Sequence, residues 1–243
     1  MSASPSKRIF SWACFDFANS AFGTLIGTFV YATFFIKGIA ADEIEGTRLW
    51  GNAVALSSIL IALLSPILGA VADAYVWKRR LMFACIVVAS VASYLLYYPR
   101  AGDALWALSI FVVGTVAIEL AIVFNNGFLP ELAPPEKQGK VSGMAWGFGY
   151  VGGLLCLGVA LVGFVMPEEP WFGLTKEGAQ NVRATSILVA VWVLVFSFPM
   201  LAWLKEKQRP KRPEGVAEIA RASFSRLGET LGHLRSFKNV FWL

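Results

Sequence analysis

Hydrophobic positions in this chain gather into six long runs, and nearly every charge falls in the gaps between them. The runs cover Phe10–Ile36, Trp50–Ala72, Leu81–Pro99, Ala104–Phe128, Val141–Met166 and Ala184–Leu204. At ~1.5 Å per residue the shortest would rise about 28 Å as a helix, close to the ~30 Å hydrocarbon core of a bilayer. Lipid offers the backbone no hydrogen-bond partner, so each run predicts an α-helix. The pattern predicts an all-α membrane protein in which residues 1–204 form a bundle of six transmembrane helices.

The expected connections are short and polar or turn-rich: Gly46 to Leu49, Asp73 to Arg80, Arg100 to Asp103 and Pro130 to Lys140, with Pro167 to Arg183 the one longer loop. Residues 205–243 change character. Lys205 to Pro213 is a basic linker. Glu214 to Asn239 places Ile219, Phe224, Leu227, Leu231 and Leu234 at a spacing near 3.6, which predicts an amphipathic helix against a membrane or partner. Val240 to Leu243 turn apolar again and read as the opening of a seventh span.

Composition agrees with lipid as solvent. Hydrophobic residues make up 57% and charged residues 15%, against roughly 45–50% and about 25% in soluble domains. The net charge of +5 matters through its distribution. Sixteen of the 21 Lys and Arg fall in the N-terminal arm (Lys7, Arg8), the second-to-third connection (Lys78, Arg79, Arg80), the fourth-to-fifth (Lys137, Lys140) and the tail. Five (Lys37, Arg48, Arg100, Lys176, Arg183) fall on the other side. This bias predicts both termini in the cytoplasm. The basic residues orient the chain, and no nucleic-acid partner is expected.

Several chemistries are excluded at this stage. Cys14, Cys85 and Cys156 lie one to a span with no short spacing, so neither a disulfide framework nor a zinc site is indicated. The one histidine, His233, is in the tail, so no span can supply a Ser–His pair. Gly147, Gly149 and Gly152 match the G-x-G-x-x-G spacing, but inside an apolar helix instead of between a strand and a helix mouth, so nucleotide binding is not expected. The chain reads as a non-enzyme without a cofactor. The fifth span holds seven glycines, which predicts close helix approach, and Gly23 and Gly27 give the first span a small-xxx-small face. Pro66 and Pro199 lie within the second and sixth runs, where a bend is expected.

Two acidic residues, Asp16 and Glu119, lie inside spans. A carboxylate at the bilayer centre costs roughly 2.5–3.5 kcal/mol on insertion scales, so such groups usually face a cavity. Thr115 and Asn126 share a face with Glu119, forming a polar stripe on the fourth helix, and Asn19 and Ser20 follow Asp16 by one turn. Each carboxyl reads either as a structural group hydrogen-bonded between helices or as a contact for substrate or a coupled proton. No Lys or Arg within any span neutralises either one.

The second-to-third connection reads Gly69-Ala-Val-Ala-Asp73-Ala-Tyr-Val-Trp-Lys78-Arg79. It resembles the signature loop of the major facilitator superfamily, with Ala74 where that family usually has a basic residue and Val76 where it usually has glycine. A narrower resemblance is to the vacuole-effluxer branch (autophagy-linked amino-acid effluxers). It rests on Trp12-Ala-Cys-Phe-Asp16-Phe-Ala-Asn19-Ser20-Ala-Phe22, on Asn125-Asn-Gly-Phe-Leu-Pro130-Glu-Leu-Ala-Pro134-Pro135, and on Gly139, Val141-Ser142-Gly143, Trp146 and Gly149-Tyr150-Val-Gly152-Gly153.

The resemblance implies a secondary transporter of a small solute, with amino-acid export from the vacuole in fungal members. It implies a cell-membrane location, or a vacuolar one in a fungus. It also implies that the first and fourth helices line a central cavity, with Asp16, Asn19, Glu119 and Asn126 around substrate, and that Gly69, Asp73, Lys78 and Arg79 form a conformational latch. The family's fold has twelve helices in two halves. This chain would then be the N-terminal half plus linker, expected to be a fragment or to pair with a second copy. The rival expectation is a non-transporting membrane scaffold that binds a partner through its glycine-rich faces and basic tail.

Overall fold

A computed structural model describes residues 4–206, together with Gly215 and Arg221. The linker, amphipathic helix and apolar end expected beyond 206 lie outside the described residues, those two positions aside. Among the described residues the chain is helical without strands, in six rods: α1 Pro5–Ile39, α2 Glu43–Tyr75, α3 Lys78–Leu95, α4 Ala104–Asn126, α5 Pro135–Val165 and α6 Gln180–Trp203. By length and composition all but α3 are apolar enough to cross a membrane; α3 matches the 18-residue length but opens on Lys78, Arg79 and Arg80.

The helices outrun the apolar runs, which corrects three expected connections. Gly46 to Leu49 lies inside α2, because the Asp42 side chain accepts the Glu45 amide at 2.8 Å and caps the helix a full turn earlier. Of Asp73 to Arg80, only Val76 and Trp77 are non-helical. Pro130 to Lys140 contains a single helical turn, Leu129–Leu132, and the start of α5 at Pro135. The apolar run marks the lipid-embedded part of a helix; its polar ends continue into the interface, where nothing stops a helix until a cap does. Arg183, expected in a loop, is buried in the first turn of α6. Its guanidinium donates to the Tyr97 carbonyl at 2.9 Å and the Gly178 carbonyl at 3.1 Å.

The helices pack in a pattern with internal symmetry. α1 packs on α5 and α6, while α4 packs on α2 and α3; α3 and α6 pack on each other. Exchanging the first three helices for the last three leaves that pattern unchanged. An odd number of helices per triplet makes the triplets run in opposite senses, the signature of an inverted repeat. In this scheme α1 and α4 are equivalent positions.

The expected close approach is realised between α1 and α5. A Cβ on Gly149 would sit 2.9 Å from Ser20 Oγ and 3.0 Å from the Asp16 carbonyl; one on Gly153 would sit 2.7 Å from Thr24 Oγ1; one on Gly152 would overlap Phe17. Gly143, Gly147 and Gly158 have open space instead. So does the Gly23/Gly27 face, where nothing but a Phe22 carbonyl at 4.0 Å comes near. No other helix comes within 4 Å of where a Cβ would stand on either glycine. That face lies where α1 takes π-helical turns, over Phe22–Phe29 and again over Phe35–Ile39, which widen the helix by one residue per turn and shift the registry of its small residues.

Candidate functional site

Two contacts fix the register of α1 against α4. Trp12 Nε1 donates to the Asn125 carbonyl at 2.8 Å, and Gly114 lies against the Phe22 ring, 3.1 Å from where its Cβ would be. Ten residues forward on α1 thus correspond to eleven backward on α4, and the helices are antiparallel. From the Trp12–Asn125 contact, Asp16 is four residues along α1, about 6 Å, and Glu119 is six residues along α4, about 9 Å. The backbone positions of the two in-span acidic residues therefore stand about 3 Å apart in depth, on the two helices that the inverted repeat makes equivalent.

Their surroundings differ. Asp16 is half-buried, accepts from Asn19 Nδ2 at 3.4 Å, and has its own carbonyl bonded by Ser20 Oγ at 2.9 Å. Beside it, Phe17 is the hub of an aromatic cluster joining α1, α5 and α6, with ring centroids 4.8 Å from Phe148, 5.5 Å from Trp192 and 4.8 Å from Phe196. That cluster and the glycines of α5 hold the backbone that carries Asp16. Glu119 is exposed on the free side of α4, and Asn126 is exposed two turns on. Neither Glu119 nor Asn126 makes an ion pair or side-chain hydrogen bond among the described residues, and none joins the α1 pair to the α4 pair.

The sequence reading missed Asn125. It is fully buried, and its carbonyl is the acceptor that ties α1 to α4, yet both polar atoms of its side-chain amide lack a partner, as does Thr115 Oγ1 one turn from Glu119. Buried polar atoms without partners are uncommon; Thr115 belongs to the polar stripe and Asn125 directly precedes its last member, Asn126. The Asn125-Asn126 doublet was the available signal.

A second constellation gathers at the end of the bundle that holds the α2–α3 turn. α2 stops because Val76 takes the left-handed conformation (φ 58°, ψ 48°), and the Val76 and Trp77 amides both return to the Ala72 carbonyl. This places Lys78 at the head of α3 with its side chain turned inward. Its ammonium lies 2.9 Å from Asp73 and 3.6 Å from Glu131, donates to the Gly127 carbonyl at 2.9 Å, and stands 5.7 Å from the Phe128 ring centre. Side-chain exposure is 8% for Lys78 and 5% for Glu131 but 58% for Asp73, so the inner half of this group is the dry half.

Glu206, just past α6, accepts the Lys78 amide at 2.9 Å and the Arg79 amide at 3.3 Å, capping α3 with a carboxylate at the positive end of its dipole. The cluster ties together the ends of α2, α3, α4 and α6. Of the four residues expected to form a latch, Asp73 and Lys78 meet directly. Arg79 takes part through its backbone, and Gly69 lies one turn earlier, where a Cβ would stand 4.0 Å from Val123 on α4. Glu131 and Glu206 were not anticipated: their partners are distant in sequence.

Comparison with known proteins gives three findings. A family model described as vacuole effluxer Atg22 like matches residues 38–243. A Bacillus subtilis (strain 168) protein described as the uncharacterized MFS-type transporter YxiO is 26% identical over 240 residues, covering 97% of this chain and 55% of the relative. This chain thus spans about half the length of the curated relative it matches. Among solved structures, the xylose transporter XylE from E. coli superposes in its partially occluded inward open conformation with a TM-score of 0.66 at 15% identity, covering 98% of this chain and 61% of that one. Its inward open conformation gives 0.65 at 16% identity, covering 96% and 57%. At such identities the likeness establishes a shared fold, that of the major facilitator transporters.

Proposed function

We propose that this chain, which belongs to the vacuole effluxer Atg22-like family, forms one six-helix half of a secondary-active transporter that moves a small solute across a membrane. The other wall of the pathway comes from a second six-helix bundle, either a further half of the same protein or a second copy. The length of the YxiO-type relative supports this reading. Both ends of the bundle's chain face the cytoplasm, as the distribution of Lys and Arg favours.

The observation that carries the proposal is the matched depth of Asp16 and Glu119 on the two symmetry-equivalent helices, with no cationic side chain beside either one. Two carboxylates in a low-dielectric setting favour a cationic group or a proton between them. An amino acid presents such a group in its α-ammonium, and export of amino acids is the finer form of the proposal. Asp16, Asn19, Glu119 and Asn126 then contact solute or the coupled proton. Gly69, Asp73, Lys78 and Arg79, with Glu131 and Glu206, brace one conformation at the cytoplasmic end. The scaffold alternative draws less support, because the tight glycines Gly149, Gly152 and Gly153 are filled by α1, which leaves a partner only the open positions at Gly143, Gly147 and Gly158 of α5 and Gly23 and Gly27 of α1.

The test is flux of a panel of radiolabelled amino acids in proteoliposomes at several pH values, comparing the native chain with Glu119→Gln. The substitution should cut flux about tenfold or more, the effect of losing one charge-assisted contact, and flatten its pH dependence. Unchanged flux and an unchanged pH profile would remove Glu119 from the pathway.

A further inference from the structure

The bundle carries a second polar feature that transport does not require. Between the head of α3 and the end of α6 lies a groove of about 940 Å³. Arg79 and Arg80 from the first turn of α3, and Lys205 from just past α6, line it together with Glu206, whose carboxylate caps α3. Among the described lining residues three cations face one engaged carboxylate, an excess of positive charge. None of the three makes an ion pair among the described residues, in contrast to their neighbour Lys78, which is held by two carboxylates.

The walls below the cations are apolar and face outward. Phe83 on α3 and Phe198 on α6 line the groove and are 55% and 65% exposed. Further along both helices the outward-facing residues stay apolar, with exposed Val88 and Val91 on α3 and exposed Val191, Leu194 and Val195 on α6. No charge interrupts them, so they offer a surface for acyl chains, unlike the α4 face that bears Glu119 and Asn126. At the rim, Trp77 stacks on Tyr75 with ring centroids 5.0 Å apart, at the level where amphipathic rings collect between headgroups and hydrocarbon.

We propose that this groove is a binding site for an anionic phospholipid of the cytoplasmic leaflet. Arg79, Arg80 and Lys205 hold the phosphate and headgroup, and an acyl chain lies along Phe83 and Phe198. Guanidinium groups match phosphate oxygens in a planar, two-point geometry, and basic pockets between transmembrane helices are suited to anionic headgroups. A free anion would use the cations but leave the aromatic wall uncovered; a zwitterionic lipid would cover the wall without satisfying the excess charge. The site is independent of whether the bundle moves a solute.

The purified chain in dodecyl maltoside is titrated with dioleoyl phosphatidylglycerol, dioleoyl phosphatidylcholine and glycerol 3-phosphate, following bound lipid by native mass spectrometry and melting by tryptophan fluorescence. Phosphatidylglycerol should bind about a hundredfold tighter than phosphatidylcholine, given roughly a fivefold contribution from each of three basic residues at a membrane surface, and should raise the melting temperature. Glycerol 3-phosphate at equal concentration should do neither. The triple variant Arg79→Gln, Arg80→Gln, Lys205→Gln should lose the preference. If it fails to fold, Lys205→Gln alone, which lies beyond the last helix, should reduce it. Lys137→Gln with Lys140→Gln, basic residues of a different connection, should leave it intact. Equal binding of the two lipids, an equal effect of glycerol 3-phosphate, or equal loss in the Lys137/Lys140 variant would overturn the proposal.

Discussion

The turn end of the bundle and its middle are built on opposite principles. At the turn end an inward-facing cation is held by two carboxylates and a carbonyl, and a third carboxylate caps the next helix. In the middle two carboxylates stand at one depth without a cation, and the helices are held by missing side chains and an aromatic cluster. Charges that are satisfied inside the molecule brace it; charges left unsatisfied are available to something that comes and goes. On the reading proposed above, the buried Lys78 cluster sets the shape of the bundle and the depth of Asp16 and Glu119 is where a solute would be met. The difference also explains why a chain with 15% charged residues places so many of them on the turn end.

The sharpest way to break the comparison is Lys78→Met, which keeps the apolar stem and removes the charge. Glu131, with 5% side-chain exposure, then loses the ammonium 3.6 Å away, and the Gly127 carbonyl loses a donor. Removing one partner of a buried pair costs roughly 3–5 kcal/mol; the open side at Asp73 places this case near 3. For a domain of this size that is a fall of about 6–12 °C in melting temperature, read by tryptophan fluorescence in detergent. A fall of less than about 2 °C would show that the cluster does not brace the bundle.

In the middle the corresponding probe is steric. Gly152→Ala forces a methyl group into Phe17 where α1 and α5 meet. Overpacking of a tight contact costs roughly 1–3 kcal/mol. Gly147→Ala, on the same helix with open space around it, should instead raise stability by roughly 0.4–1 kcal/mol, because alanine gives the unfolded chain less freedom than glycine does. The two melting temperatures measured side by side test whether missing side chains, as opposed to helix flexibility, hold α1 to α5. Equal effects would reject the packing account.

How much of this was readable in the chain depended on the range of each interaction. The six helices were, because each is set by its own apolar run, and so were the in-span carboxylates at Asp16 and Glu119. Helix ends were not, since an apolar run reports lipid contact and Asp42 extends α2 beyond it. The cluster around Lys78 was half readable: Asp73 lies five residues away, but Glu131 and Glu206 are joined to it only by the folding of α4 and α6. The π-helical turns of α1 had no visible signal, and they leave Gly23 and Gly27 open. Asn125 was passed over because its neighbour Asn126 fits the polar stripe, and only the contact with Trp12 shows what Asn125 does.

Val76 supplies the smallest and most informative test, because sequence and structure speak about the same atom group. The resemblance to the facilitator signature places glycine where this chain has valine, and the structure puts that valine at φ 58° to end α2 and return two amides to Ala72. A β-branched residue is an outlier there, and the left-handed region costs an L-residue roughly 1–2 kcal/mol. Val76→Gly removes that strain but gives the unfolded chain more freedom, worth about 0.5–1 kcal/mol in the other direction. The expected net effect is a gain of about 0.5–1 kcal/mol, or a rise of about 1–4 °C in melting temperature, with the Lys78 cluster unchanged. A fall would mean that the valine side chain contributes more through its contacts than its backbone loses. The tight turn would then be held by that side chain, against the reading of the turn end as a structure held by charge.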